Sequence, residues 1–450
     1  MKQATAGQLE QTREYDVIIV GSGTAGSTLA RELARGGRRV LVLERGQDRT
    51  LDERFSSLVA IANEVKLGDE GLSSMRGLVA GGSTSLYFGV ADSPDCASFA
   101  ALGIDVATEL EAVKRELGVA MLPEARMGAK PLALKQAAES LGHAWVRREM
   151  LVDFDRYPDY AYDAKWRARD FLDDAISAGA DLVTSATVSK LVIEQGRVVG
   201  VEYARKRGFG KELQRIHGRK VIVAAGEMAT PQLLRDNGIA GIGARGFYCN
   251  PGYALYGIVP GLRGNDGYVG SSSAQITPEV ELGDANVHRS LHRMMMLGGM
   301  KLRHLFSYPG TLGIGVKVKD GFGGELRPDG RFHKRMDDKD REKLALGRNE
   351  ALRVLEKAGA RNITDFGLTA AGRIGGLVRI GEHVDSRFET EVAGLHVCDG
   401  SVIPDDQRGT PTLTIVCMAR ALAKVLLSES SADRADAQLR SDAREVVAEA

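Results

Sequence analysis

Cysteine is scarce in this chain of 450 residues. Its four copies, Cys96, Cys249, Cys398 and Cys417, stand far apart with no C-x-x-C pair. That spacing argues against a disulfide framework and against a cysteine-held iron–sulfur centre, and it fits a reduced compartment. Long apolar runs are missing too: no stretch reaches the ~18 residues that a membrane-spanning helix needs. The N-terminal "MKQATAGQLEQTREYD" has neither an apolar leader core nor a twin arginine. Charge of one sign is not in excess. Sixty Lys and Arg balance sixty Asp and Glu, so no global field draws in nucleic acid or an anionic membrane. The expectation is a cytoplasmic protein with no nucleic-acid and no membrane partner. Metal-ligand spacing is also lacking. His288 and His292 are four apart, but no third ligand follows at a useful distance, so no metal site is expected.

Glycine, by contrast, is plentiful, with 54 copies spread along the chain. Such spreading points to tight turns and close backbone approaches rather than disorder. The most informative stretch is "YDVIIVGSGTAGSTLARELARGGRRVLVLERG". Val17–Val20 reads as a buried strand, Thr24–Arg35 as a helix, and Val40–Leu43 as a second strand ending in Glu44. Between the first strand and the helix, Gly21, Ser22, Gly23, Thr24, Ala25 and Gly26 form G-x-G-x-x-G. Gly21 permits the tight turn, Gly23 admits a pyrophosphate to the backbone, and Gly26 lets helix pack on strand. The helix N-terminus offers free N–H groups to phosphate. Glu44 is placed to accept hydrogen bonds from a ribose. The motif predicts dinucleotide binding, and the glycines alone do not choose between FAD and NAD.

Elsewhere, 104–147 and 336–358 read as helical, the second closed by Gly359. "DLVTSATVSKLVIEQGRVVGVEYARK" reads as a hairpin turning near Gln195 and Gly196. "LGIGVKVKDGFGGELRPDGRFH" reads as antiparallel sheet. The segment 428–450 is charged and rich in small residues, and it reads as a frayed or disordered tail.

Three further segments narrow the choice. They are "RGLVAGGSTSLYFG" (76–89), "GRKVIVAAGEMATPQLLRDNGI" (218–239) and "GLHVCDGSVIPDDQRGTPTLTIVCMARALAKVLL" (394–427). With the first glycine turn, in this order, they resemble the glucose–methanol–choline (GMC) oxidoreductases, a family of FAD enzymes. The resemblance implies an α/β fold, with a doubly wound, Rossmann-like FAD-binding domain and a second α+β domain on an antiparallel sheet. It implies a discontinuous FAD domain over 15–100, 160–250 and 385–427, and a substrate domain over 101–159 and 251–384. The ADP half of FAD would lie on Gly21–Gly26 with Glu44 and Arg45. Gly81, Gly82 and Ser83 would run beside the pyrophosphate and flavin, and the Val188 backbone would meet adenine. Ala225 and Gly226 close the middle segment's strand. Asp399 and Gly400 would flank the phosphates. Thr410, Pro411 and Thr412 would lie near the isoalloxazine, where the final helix aims its positive end at the ring. The histidine that bonds FAD covalently in some relatives aligns with Leu86 here, so non-covalent FAD is expected.

Alcohol-oxidising relatives place a His opening an H-P-x-G-T-x-R-M-G loop and a His or Asn before the final helix. In "AAGRIGGLVRIGEH" the first position aligns with Arg373, and the second aligns with Thr410. Arginine keeps its proton, so Arg373 cannot act as the base that alcohol oxidation needs. It can hold an alkoxide, an enolate or a carboxylate, or it can pair with an acid such as Asp365. His288, His292, His304, His333, His383 and His396 are the other histidines weighed for pocket, packing or surface roles. The reading is an FAD-dependent oxidoreductase dehydrogenating a small organic substrate at a CH–OH group, with oxygen or another acceptor taking the electrons. The alternatives are a lyase or light-driven decarboxylase in which Arg373 grips an anion, and a non-catalytic flavin carrier.

Overall fold

The computed structural model describes residues 14–429 except 53–54, 69, 156–161, 208–209, 266, 371–373 and 405–408. Two sheets organise the chain. The first begins with β1 (Tyr15–Val20), α1 (Thr24–Arg35) and β2 (Val40–Leu43); α1 and β2 lie at the expected bounds, and β1 starts two residues before the expected Val17. β1 lies between β2 and the strand Gly210–Val223, and both pairings are parallel. Asp181–Val183 extends the parallel set beyond β2, and Leu395–Val397 adds a parallel partner to Gly210–Val223. The central strands are buried almost throughout. Ile18, Ile19, Leu41, Val42, Val221 and Ile222 are wholly inaccessible, as expected of parallel strands covered on both faces.

Gly210–Val223 is 14 residues long and serves two roles. Its last part pairs with β1, and its first part pairs antiparallel with Arg197–Arg207. That strand returns to Ala186–Glu194 through the turn at Gln195 and Gly196. Both turn residues have positive φ, 49° and 76°, the conformation a tight two-residue hairpin requires.

The second sheet is antiparallel throughout. Its order is Arg361–Ala370, Pro251–Ile258, Thr311–Val318, Val280–Asp284, Ser272–Thr277 and Val146–Arg147. The helix Asp338–Lys357 packs on it through Leu344, Ala351, Val354 and Leu355. Asp337 caps that helix by accepting from the Asp340 N–H at 2.7 Å, and Gly359 stands just past its end at φ 80°.

The expected helix over 104–147 is corrected by the structure. It divides into Ala107–Glu116 and Ala129–Ser140, with the short strand Ala120–Met121 and a 3₁₀ turn at Glu124–Arg126 between. Gly118 stops the first helix at φ 64°, and Pro123, lacking an N–H, bars continuation. Residues 430–450 of the expected tail lie outside the described residues.

α1 is fixed by its buried face. Leu29, Ala30 and Leu33 are fully inaccessible, and the Arg31 guanidinium covers the Phe171 ring at 3.3 Å. Leu29→Ala is expected to cost about 2–5 kcal/mol, the range for deleting a core leucine, measured as a shift in the urea unfolding midpoint. No shift would mean that α1 is not locked to the sheet.

Candidate functional site

The turn between β1 and α1 is shaped by backbone contacts that no side chain would permit. Gly21 has φ 102°, and a Cβ there would sit 2.4 Å from the Ala224 carbonyl oxygen. A Cβ on Gly26 would sit 1.9 Å from the Gly21 carbonyl oxygen. At Gly23 a Cβ would meet nothing within 4 Å. The first and third glycines are therefore closed against protein, and the second faces open space. No side chain caps α1, and no acid stands in its first turn. The N–H groups that a helix start leaves unpaired are thus offered to an external acceptor.

Glu44 stands at the end of β2 beside this turn and is 7% exposed. Its Oε2 accepts from the Ser22 N–H at 2.9 Å and the Ser22 hydroxyl at 2.7 Å. Its Oε1 accepts from the Gly46 N–H at 2.6 Å. A carboxylate has about four acceptor sites, so three bonds fix Glu44 and leave room for one more donor. The strand that carries Val188 is tied to the same place, because Ala186 N–H donates to the Glu44 carbonyl at 2.9 Å. Val188 itself is half-buried against the first core.

The second glycine pair closes over the first. Gly81 and Gly82 have φ 93° and 63°. A Cβ on Gly82 would lie 2.8 Å from the Gly23 Cα, and the Gly81 N–H donates to the Ser22 hydroxyl at 3.2 Å. Ser83 accepts from the Gly77 N–H at 3.2 Å. Next to this pair is a cation that sequence reasoning missed. Burial, and then the nearby charge of Arg45, hold the Arg76 guanidinium down to about 10, against a smaller opposing pull from Glu227. The Arg76 Nε donates to the Asn63 side-chain oxygen at 2.8 Å.

Asp399 joins the middle and last segments. It is 4% exposed, accepts from the Gly226 N–H at 2.8 Å and the Ser401 N–H at 2.8 Å, and also from the Thr230 hydroxyl. Burial raises its carboxyl, and these donors counter the rise. The carboxylate is thus turned into the protein, and it shapes the backbone at Ala225–Gly226 and Gly400–Ser401. Thr230 in turn accepts from the Ala225 N–H at 3.0 Å.

Thr410 precedes the helix that runs over 412–429. Its hydroxyl donates to the Val90 carbonyl at 2.9 Å, and its N–H donates to Asp92 at 2.6 Å. Arg148 holds both oxygens of Asp92 at 2.5 Å. Arg148 also reaches Glu281 at 2.8 Å, and Glu281 pairs with Lys317 at 2.8 Å. Burial opposes the charge on Asp92, but Arg148, Thr410 and Lys317 outweigh it and hold the carboxyl below its usual range. This chain of charges ties the start of the last helix to two strands of the second sheet.

The glycine loop after residue 373 runs beside a cavity of about 590 Å³ that Phe322, Gly376, Arg379, Val402 and Ile403 help to line. Gly375 exchanges both backbone bonds with Tyr248 at 3.1 Å, and the Arg379 guanidinium lies 4.2 Å from the Phe322 ring centre. Arg373 lies outside the described residues. Asp365, the acid weighed as its partner, takes Arg348 at 2.7 Å.

The GMC oxidoreductase family model matches residues 97–245, and an FAD-binding domain model matches 14–58. Over these segments the chain is similar to the GMC oxidoreductases. It is 30% identical over 253 residues to an uncharacterised GMC-type oxidoreductase of Mycobacterium tuberculosis, a match spanning 50% of this chain and 39% of that relative. A long-chain-alcohol oxidase of Arabidopsis thaliana is 23% identical, over 91% of this chain and 68% of its own. Among solved structures, pyridoxine 4-oxidase from Mesorbium loti superposes with a TM-score of 0.65 at 16% identity, covering 91% of this chain and 99% of that one. The formate oxidase of Aspergillus oryzae gives the same TM-score at 14% identity, covering 92% and 98%. At such identities these two structures speak for the fold.

Most of the histidines weighed above have structural surroundings. His288 caps the helix Arg289–Gly298. His292 is 1% exposed, packed edge-on to Tyr256 and Tyr308, and neither ring nitrogen has a hydrogen-bond partner among the described residues. Burial, then Lys130, push it down to about 4. His396, fully buried, reaches about 4 through burial and then Lys220. His304 meets the Thr364 hydroxyl at 3.0 Å, and His383 accepts from the Arg379 N–H at 3.0 Å. His333 pairs within a two-residue strand. No cluster of three candidate metal ligands occurs among the described residues.

His292 and His396 have folded values below the ordinary 6.5, so the unfolded chain binds more protons between about pH 6.5 and 4. Stability is therefore expected to fall as pH drops through that window, and His292→Phe should flatten the slope. Urea midpoints at stepped pH read both; equal slopes in parent and variant would contradict a neutral buried His292.

Proposed function

We propose that this chain is an FAD-dependent oxidoreductase that dehydrogenates a small organic substrate at a CH–OH group. The observation that carries the proposal is the uncapped start of α1, with open space at Gly23, Gly82 beside it, and Arg45 and Arg76 crowded nearby. FAD, when bound, would supply the acceptor for the hydride. In this reading the first-turn N–H groups and the two arginines hold the pyrophosphate. Glu44 offers its remaining acceptor site to a ribose hydroxyl, and the Val188 backbone borders the adenine. The backbone shaped by Asp399 lies along the phosphates. Leu86 has no nucleophilic atom, so the cofactor is held without a covalent bond at that position. The first sheet then carries the cofactor and the second the substrate, as the resemblance implies, with oxygen or another acceptor reoxidising the flavin.

The proton is the harder part of the chemistry. Alcohol oxidation needs a group to take the hydroxyl proton. Arg373 remains protonated at neutral pH, and the Thr410 hydroxyl already donates to Val90. Arg373 instead suits an oxygen that carries negative charge, which it can hold with two donors. The engagement of Thr410 also favours a second reading, a flavoenzyme without net oxidation in which Arg373 grips a carboxylate.

Purified protein is expected to be yellow, and denaturation should release the colour into the supernatant. Gly82→Val, which would drive side-chain atoms onto Gly23, should abolish FAD retention while leaving the circular dichroism unchanged. Under anaerobic conditions a substrate alcohol should bleach the flavin. Colour that stays with the denatured chain contradicts non-covalent binding. Turnover of a carboxylate without bleaching selects the second reading, and a colourless protein that takes up no FAD ends both.

A further inference from the structure

The even charge total hides a local imbalance. From Ala285 to Lys319 there is no Asp or Glu. The helix Arg289–Gly298 and the segment after it carry Arg289, Arg293, Lys301 and Arg303. Among the described residues Arg293, Lys301 and Arg303 form no ion pair, and Arg293 and Arg303 are exposed. Large apolar side chains project from the same stretch: Met300 is 84% exposed, Phe306 85%, Leu302 64% and Leu297 51%. Met300 is held at φ 54°, a left-handed conformation that bulky residues rarely adopt. A stable fold does not need these side chains outside, and water does not favour them there.

The other side of the helix is firmly seated. His292 and Met296 are buried, and Leu291 and Met295 pack with Phe88, Val269 and Phe366 around Tyr256. The outward apolar residues are therefore not an unfolded edge. They are knobs on an anchored helix and its following turn, in a stretch whose only charged residues are cations.

We propose that this stretch docks the protein on an anionic lipid surface, with Met300, Leu302 and Phe306 entering the headgroup boundary and Arg293, Lys301 and Arg303 facing the lipid phosphates. The chemistry is that of an interfacial segment: apolar side chains entering the headgroup boundary and basic residues beside them. No helix among the described residues is long and apolar enough to cross a membrane, so the protein would lie on the surface and not span it. The single sign of the fringe is what selects an anionic bilayer over a protein partner. A protein interface on this chain, with its balanced composition, would have carried carboxylates as well. This inference rests on the second sheet's surface and stands apart from the reaction assigned above.

The test is co-sedimentation of the whole protein with phosphatidylcholine vesicles, with and without phosphatidylglycerol. Binding is expected only to the mixed vesicles, and it should weaken as salt is raised. The triple variant Arg293→Gln, Lys301→Gln, Arg303→Gln should lower the partition coefficient about a hundredfold. The double variant Met300→Ser, Phe306→Ser should lose binding while keeping the parent's melting temperature, because both side chains stand in water. Equal binding to neutral vesicles, or no loss in either variant, overturns the proposal. So does light scattering that shows a parent dimer and a monomeric double variant, which would assign the patch to a second copy of the chain.

Discussion

The glycine-turn end of this protein depends on backbone lying directly against backbone. Gly26 touches Gly21, Gly21 touches Ala224, and Gly82 touches Gly23. Each contact is closer than any Cβ allows. Together they bring the first turn, the second glycine pair and the end of the central strand to one point, at an uncapped helix start. Side chains then stiffen the arrangement. Glu44 holds Ser22 and Gly46, and Asp399 holds Gly226 and Ser401. Both acids spend most of their hydrogen-bonding capacity on the protein. They present shaped backbone to a ligand more than they present charge, which suits a site meant for phosphate.

The second constraint is electrostatic and joins the two sheets. Thr410, Asp92, Arg148, Glu281 and Lys317 form one connected chain of polar contacts. It runs from the start of the final helix into Val280–Asp284 and Thr311–Val318. A half-buried pair of this kind is weak evidence for stability. It does fix position: moving the second sheet relative to the final helix would strand Arg148 or Asp92 without a partner.

What the sequence shows and hides follows from range. The β1–α1–β2 unit was legible, short of the first two residues of β1, because strand, turn, helix and acid lie within one continuous stretch. The hairpin at Gln195–Gly196 and the helix Asp338–Lys357 were legible for the same reason, through turn chemistry and capping. The division of 104–147 was overlooked because apolar spacing was weighed above Gly118 and Pro123. The Asp92–Arg148–Glu281 chain left no local signal, since its partners are 56 and 133 residues apart. Arg76 was hidden likewise: its meaning comes from Arg45, which only the fold brings near. The histidines were countable but not rankable, because burial decides their state and single residues do not report it. The balanced charge total concealed the cationic stretch after Ala285, since a sum over the chain carries no position.

The account's central claim is that an adenine dinucleotide lies along the uncapped start of α1, under the Gly81–Gly82 turn. Hydrogen exchange with and without added FAD tests it most directly. The account predicts new protection at the amides of Gly23 to Gly26, which the uncapped helix start leaves without a partner. FAD that binds while these amides exchange as before would contradict it.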